Sequence, residues 1–121
     1  MKSNIKQFAK KSEKQVTKEC IDLLKVKQII HWRNNVLDGK FRGSGEKNWR
    51  HVKNGVPGLS DWSFLLNDGS GRCVFLELKK TGGKQSQNQI DFQADCERRL
   101  IPYYCVDDVI DLKEILDIYG M

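Results

Sequence analysis

No apolar run in this 121-residue chain approaches the ~20 residues that a membrane helix needs. The N-terminus, Met1-Lys2-Ser3-Asn4-Ile5-Lys6, has lysines but not the apolar segment of a secretory signal. A membrane protein is therefore not expected, and the composition fits an intracellular, cytoplasmic location in a cell or its viral equivalent. Four cysteines, Cys20, Cys73, Cys96 and Cys105, form no C-x-x-C pair and stand beside no histidine, which argues against a zinc site and against a disulfide framework. All four are read as buried thiols. Internal repeats and low-complexity segments are also absent, and the length suits one domain over 1–121 with a single core.

Basic charge is present, and it is unevenly spread. Lys+Arg outnumber Asp+Glu by 21 to 16, a net +5; the last twenty residues are acidic, whereas an arm at 1–11 (Lys2, Lys6, Lys10, Lys11) and the segment 34–58 are basic. This favours a polyanionic partner, with a merely solvated basic surface as the plainer alternative. Residues 34–58 hold five glycines, at 39, 43, 45, 55 and 58, and little apolar periodicity, so they read as one long functional loop. Lys40, Arg42, Lys47, Arg50 and Lys53 outnumber Asp38 and Glu46 there, with Phe41 and Trp49 interleaved. Such a mixture tracks phosphates and stacks on bases; otherwise it is a surface loop with Trp49 turned back on the core.

The most informative stretch is Val74-Phe75-Leu76-Glu77-Leu78-Lys79-Lys80. Its apolar run predicts a strand, and strand periodicity puts Glu77 and Lys79 on one face. Upstream, Asp61 heads a second apolar run, Trp62-Ser63-Phe64-Leu65-Leu66, and Asn67-Asp68-Gly69-Ser70-Gly71 forms a turn between them. A hairpin centred on Gly69 opposes Asp61 to Glu77, with Cβ atoms roughly 4.5–5.5 Å apart. Two carboxylates at that distance repel unless a proton or cation lies between them, and oxygen ligands suit Mg²⁺ or Mn²⁺ better than zinc. The competing explanation is that E-x-K is a cheap pattern on any solvated sheet face.

Around this hairpin the periodicity predicts a helix from Ser12, an N-cap, with Val16, Cys20, Leu23 and Leu24 as its inward stripe. Glu13 falls in line with that stripe and should point toward the sheet, unless it serves only the helix dipole. Lys27 to Arg33 reads as a short strand. Lys79-Lys80-Thr81-Gly82-Gly83-Lys84 reads as a flexible cationic turn whose lysines, Lys80 and Lys84 among them, would hold a phosphate backbone. Ser86-Gln87-Asn88-Gln89 fits a capping box that opens a helix to about Arg99, with Ile90, Phe92, Ala94 and Cys96 inner or flanking. Leu100 to Val106 reads as a last strand, parallel to the Glu77 strand by right-handed crossover, and a terminal helix follows with its start at an Asp111-Leu112-Lys113-Glu114 capping box. The order is α-β-β-β-α-β-α, an α/β fold with a mixed sheet flanked by helices.

With Glu13, Gly58-Leu59-Ser60-Asp61, Phe75-Leu76-Glu77-Leu78-Lys79-Lys80 and Gly82-Gly83-Lys84-Gln85-Ser86-Gln87-Asn88-Gln89, the chain resembles the stand-alone virus-type replication-repair nuclease (VRR-NUC) domain of the PD-(D/E)XK superfamily over about residues 12 to 117. The resemblance implies a restriction-endonuclease-like core and a Mg²⁺- or Mn²⁺-dependent phosphodiesterase acting on DNA, selective for branched or four-way-junction structures and often a homodimer. It also implies roles. Asp61, Glu77 and the Leu78 carbonyl would hold the ion; Lys79 would orient water or stabilise phosphorane charge; Glu13 would join the acidic set through water; Gln89 would order the site. Ser60 departs from the family pattern, where proline is commoner. The other readings are a nucleic-acid-binding module without hydrolytic activity and a small-molecule hydrolase with paired carboxylates. Directly opposed strand partners stand closer than the carboxyl pair of a glycosidase, which disfavours the last.

Overall fold

The computed structural model describes residues 10–34, 39–41, 50–52 and 56–121. Helix α1 spans Glu13–Val26, capped by the Ser12 side chain, which accepts from the Gln15 amide. Strand β1 is His31–Arg33, β2 Gly39–Phe41, β3 Arg50–Val52, β4 Trp62–Leu65 and β5 Cys73–Leu78. Helix α2 (Gln87–Arg98), strand β6 (Tyr103–Val106) and helix α3 (Val109–Ile118) complete the order. Four strands form a mixed sheet in the order β1-β4-β5-β6, antiparallel except for the parallel β5–β6 pair. The fold is therefore α/β, with three helices among the described residues. None of them is long and apolar enough to cross a membrane among the described residues.

Alternation along β5 divides the molecule into two layers. Val74, Leu76 and Leu78 point to one face, where Val16, Cys20 and Leu24 of α1 and Leu112 and Leu116 of α3 bury against them. Phe75 points to the other, where Phe92 of α2 meets it edge-on at 5.4 Å and also approaches Tyr103 at 5.8 Å. Glu77 shares this second face but is 1% exposed, so the sheet buries a carboxylate where its neighbours bury rings.

The structure corrects several boundaries. The strand expected from Lys27 begins only at His31, because Lys27 to Ile29 close α1: the Gln28 amide donates to Lys25 O and the Ile29 amide to Leu24 O, with Gln28 at φ 57. This is a Schellman turn with glutamine where glycine is usual. Helix α2 ends the same way at Leu100 (φ 58), whose neighbour Ile101 donates to Cys96 O, so the last strand begins at Tyr103 and not at Leu100. Helix α3 starts at an Asp108 cap, whose side chain accepts from the Ile110 amide, and not at Asp111. Residues 34–58 are not one uninterrupted loop, since β2 and β3 pair antiparallel within them. Of the four cysteines expected to be buried, Cys20 and Cys96 are, whereas Cys73 is half-buried and Cys105 exposed; Ile90, inner or flanking by its position, is exposed.

Candidate active site

Turn chemistry sets the register that brings the acids together. Asp68 Oδ1 accepts from the Ser70 amide and Ser70 Oγ from the Arg72 amide, shaping a turn around Gly69, and Trp62, Ser63, Phe64 and Leu65 then pair with Leu76, Phe75, Val74 and Cys73. Continued by one residue, this register opposes Asp61 to Glu77. Asp61 Oδ2 accepts from the Leu78 amide at 3.4 Å. Because a strand residue directs its N–H and C=O to the same neighbour, the Leu78 carbonyl lies on the edge that Asp61 occupies.

Gln89 has two tasks at once. Its Oε1 accepts from the Ser86 amide at 2.8 Å, closing the capping box with the Ser86 hydroxyl, so only its amide nitrogen remains to meet Glu77, donating to Oε1 at 2.8 Å. Glu77 Oε1 is thereby an acceptor. The other oxygen, Oε2, is buried and has no hydrogen-bond partner. Burial, and then the neighbouring Asp61 charge, push the Glu77 carboxyl up to about 8. Lys79, on the same face, brings its ammonium within 3.8 Å of Oε1 and only partly offsets that.

These groups fit a hard divalent cation. A buried carboxylate oxygen facing a second carboxylate is stabilised by a proton or by a cation held between them. Among the described residues no three His, Cys, Asp or Glu side chains gather as a ready-made metal cage, so Asp61, Glu77 and the Leu78 carbonyl would hold the ion with water completing its shell, as Mg²⁺ tolerates.

Glu13 lies in the first turn of α1, exposed, on the wall of a cavity of about 280 Å³ that Asp61 also lines. It is thus brought to Asp61's side of the site and not buried under the sheet. Lys80 and Lys84 are exposed on the turn after β5. That turn is tied down rather than free: the Thr81 amide donates to Lys11 O, the Lys11 amide to Thr81 Oγ1, and the Gly82 amide to Asp107 Oδ2. Lys11, expected in a basic arm, instead turns inward to Glu19 at 2.9 Å and Asp108 at 3.3 Å. Of the other basic residues, Lys40 and Arg50 belong to β2 and β3, while Lys2, Lys6, Arg42, Lys47 and Lys53 lie outside the described residues, as does Trp49.

Two neighbours of Asp61 carry no signal in the sequence. Arg33 lines the same cavity. Asn34 clamps the segment before β4: its amide donates to Asp61 O at 2.8 Å, and its side-chain nitrogen reaches Ser60 O at 3.1 Å and Ser63 Oγ at 2.8 Å. Ser60, where proline was the commoner expectation, is fully buried and donates to Trp62 O, so the hydroxyl does by hydrogen bonding what a proline ring does by stiffness. Asn34→Ala leaves those buried groups unmet and is expected to cost about 2 kcal/mol. Amide exchange at Leu78 should accelerate as Asp61 loosens; unchanged exchange there would show that the clamp does not act on Asp61. Comparison of the chain with protein-family models, with curated proteins and with solved structures returned no match.

Proposed function

We propose that this chain is a divalent-metal-dependent endonuclease that hydrolyses DNA phosphodiester bonds, of the PD-(D/E)XK kind in its VRR-NUC form, with a restriction-endonuclease-like core. The observation that carries the reading is the buried Glu77 whose Oε2 has no partner beside Asp61, with Lys79 alongside. Bound Mg²⁺ or Mn²⁺ supplies the charge that generates a nucleophile near neutral pH and offsets charge developing on the phosphate.

The residues divide the remaining work. Gln89 fixes the Glu77 carboxylate by its hydrogen bond to Oε1, and the Leu78 amide and Asn34 hold Asp61 opposite it. Lys79 presents an ammonium that favours the pentavalent phosphorane over the diester, because negative charge accumulates there. Glu13, on the cavity wall that Asp61 shares, would join the acidic set through water. Lys80 and Lys84, exposed beside the site, would meet backbone phosphates on the far side of the cut. Strict base reading needs more groove contact than a domain this small presents, so selection by shape, of branched or junction DNA, suits it better, and a homodimer would offer two sites to two strands.

Labelled linear duplex, single-strand, flap, splayed-arm and four-way-junction DNAs, incubated with Mg²⁺ or Mn²⁺, test this. One structural class should be cut, and EDTA or Glu77→Ala should abolish cutting. Tight, salt-sensitive binding with no cleavage in any ion would replace the enzyme by a nucleic-acid-binding module.

A further inference from the structure

The cavity beside Asp61 is walled by Glu13, Lys14, Thr17, Arg33, Asp61 and Trp62. It is built where α1 begins and the β1–β4 ladder ends: Arg33 opposes Trp62 in the antiparallel register, and the next residue, Asn34, donates its amide to Asp61 O. Residues 13, 14 and 17 are neighbours at the start of the helix, with Glu13 in line with the buried Val16 and Cys20 but one turn beyond them and exposed. Two cations thus share one small wall with two acids.

Neither cation is accounted for by the fold. Among the described residues Arg33 and Lys14 have no ion-pair partner, although two carboxylates line the same cavity. Lys14 also sits in the first turn of α1, where the helix dipole disfavours positive charge by a few tenths of a kcal/mol or more. Cations so placed would repel a second metal ion beside Asp61 and would attract an anion. At about 280 Å³ the cavity is at the small end of ligand pockets, which run from ~300 to 1,000 Å³, so it suits one nucleotide unit. Trp62, half-buried with His31 tilted against it at 6.1 Å, offers the aromatic wall on which a sugar or base packs.

We propose that this cavity is a nucleotide subsite, in which Arg33 and Lys14 take the phosphate adjoining the scissile one and the Trp62 indole lies against the attached sugar or base. The inference rests on the nuclease reading for which phosphate is held, and on the cavity alone for whether one is held. Arg33 would donate in bidentate fashion, and the Thr17 hydroxyl is available as a further donor. Substrate would then cross the site from the Lys80–Lys84 turn, past Glu77 and Lys79, to Arg33.

The probe is thymidine 3′,5′-bisphosphate, titrated into the full chain in Ca²⁺ and followed by amide and indole NMR shifts, with the Trp62 indole assigned through Trp62→Phe. Shifts should concentrate at residues 13–17, 31–33 and 62. Arg33→Ala should weaken the probe about tenfold, Arg33→Lys by less, and Lys113→Ala, exposed on α3 and not part of the cavity wall, by no more than about twofold. For cleavage, Arg33→Ala should raise KM with little change in kcat and lower the salt slope of DNA binding by about one. Shifts confined to Lys80 and Lys84, or binding indifferent to Arg33→Ala, would overturn the subsite while leaving the nuclease reading intact. Probe binding lost with Arg33 in a protein that cuts no DNA would keep the subsite and remove the nuclease.

Discussion

Glu77→Gln should yield a protein that is more stable without metal and inactive with it. Once Glu77 ionises, the two facing carboxylates can only accept, and its Oε2 then has no donor; glutamine puts a donor there at every pH. The sign of the pH dependence follows from the raised carboxyl. A group whose folded pKa exceeds its unfolded value of about 4.5 stabilises the fold fully below that value, and loses this contribution as pH climbs through its folded pKa, here about 8. Metal-free wild type should therefore lose stability relative to Glu77→Gln between about pH 5 and about pH 8.5, by on the order of 3 kcal/mol, or roughly 5–10 °C in Tm. The exposed carboxylates of Asp22, Asp68 and Asp95 are held below their ordinary value by their neighbours, titrate at lower pH, and cancel in the comparison. Adding Mg²⁺ at the upper pH should raise the wild-type Tm and leave the variant unmoved, while cleavage by the variant should fall on the order of 10³-fold. Parallel Tm curves for the two proteins across this range would show that Glu77 and Asp61 are not in charge conflict.

Gly58→Ala should be the most damaging added methyl among Gly58, Gly69, Gly71, Gly82, Gly83 and Gly120. Gly58 has φ +76, and a Cβ there would lie 2.1 Å from Asn88 O and 2.5 Å from Asn88 C. Both are main-chain atoms of the first turn of α2, so no side-chain rotation relieves the contact. The helix start must move away from the segment leading to Asp61, and Gln89, which holds Glu77, moves with it. Positive φ alone costs about 1–2 kcal/mol for alanine, and the enforced separation should bring the loss to about 4 kcal/mol. Gly69→Ala supplies the control, since its φ is +84 but nothing lies within 4 Å; it should show the backbone cost alone. Urea unfolding of both measures the difference, and equal losses would mean that the contact between residue 58 and α2 yields without cost. Cleavage by Gly58→Ala should stay depressed even in urea-free buffer at low temperature, where the chain is still folded, because the two carboxylate holders no longer meet.

The corrected boundaries have a common cause. The three helices of the described residues end in the same pair of main-chain bonds, but only α3 has a glycine, Gly120, in the left-handed position; α1 uses Gln28 and α2 uses Leu100. A helix end without glycine leaves no local mark, so the strands after α1 and α2 are read too early from composition. In both cases a packed side chain compensates: Ile29 is buried beside Leu24, and Ile101 is half-buried beside Cys96. The Asp108 cap was hidden for a related reason. Its carboxylate is buried against Lys11, a residue 97 positions away, and that contact selects it over the Asp111 box, which looks better in isolation.

By itself the sequence determined what depends on neighbours along the chain. Alternation placed Glu77 and Lys79 on one face, the Asp68–Gly69–Ser70 turn set the hairpin register that opposes Asp61 to Glu77, the Ser86–Gln89 box started α2, and the strand–helix–strand order implied the parallel β5–β6 pair. Periods, caps and turns are local energies, readable wherever the residues that create them adjoin. The tertiary structure alone decided that the Gln89 amide reaches Glu77, that Asn34 holds Asp61, that Gly58 lies against Asn88, and that Arg33 and Glu13 share a cavity wall. Those contacts join residues far apart in sequence, and their energy exists only once the sheet has brought its ends together.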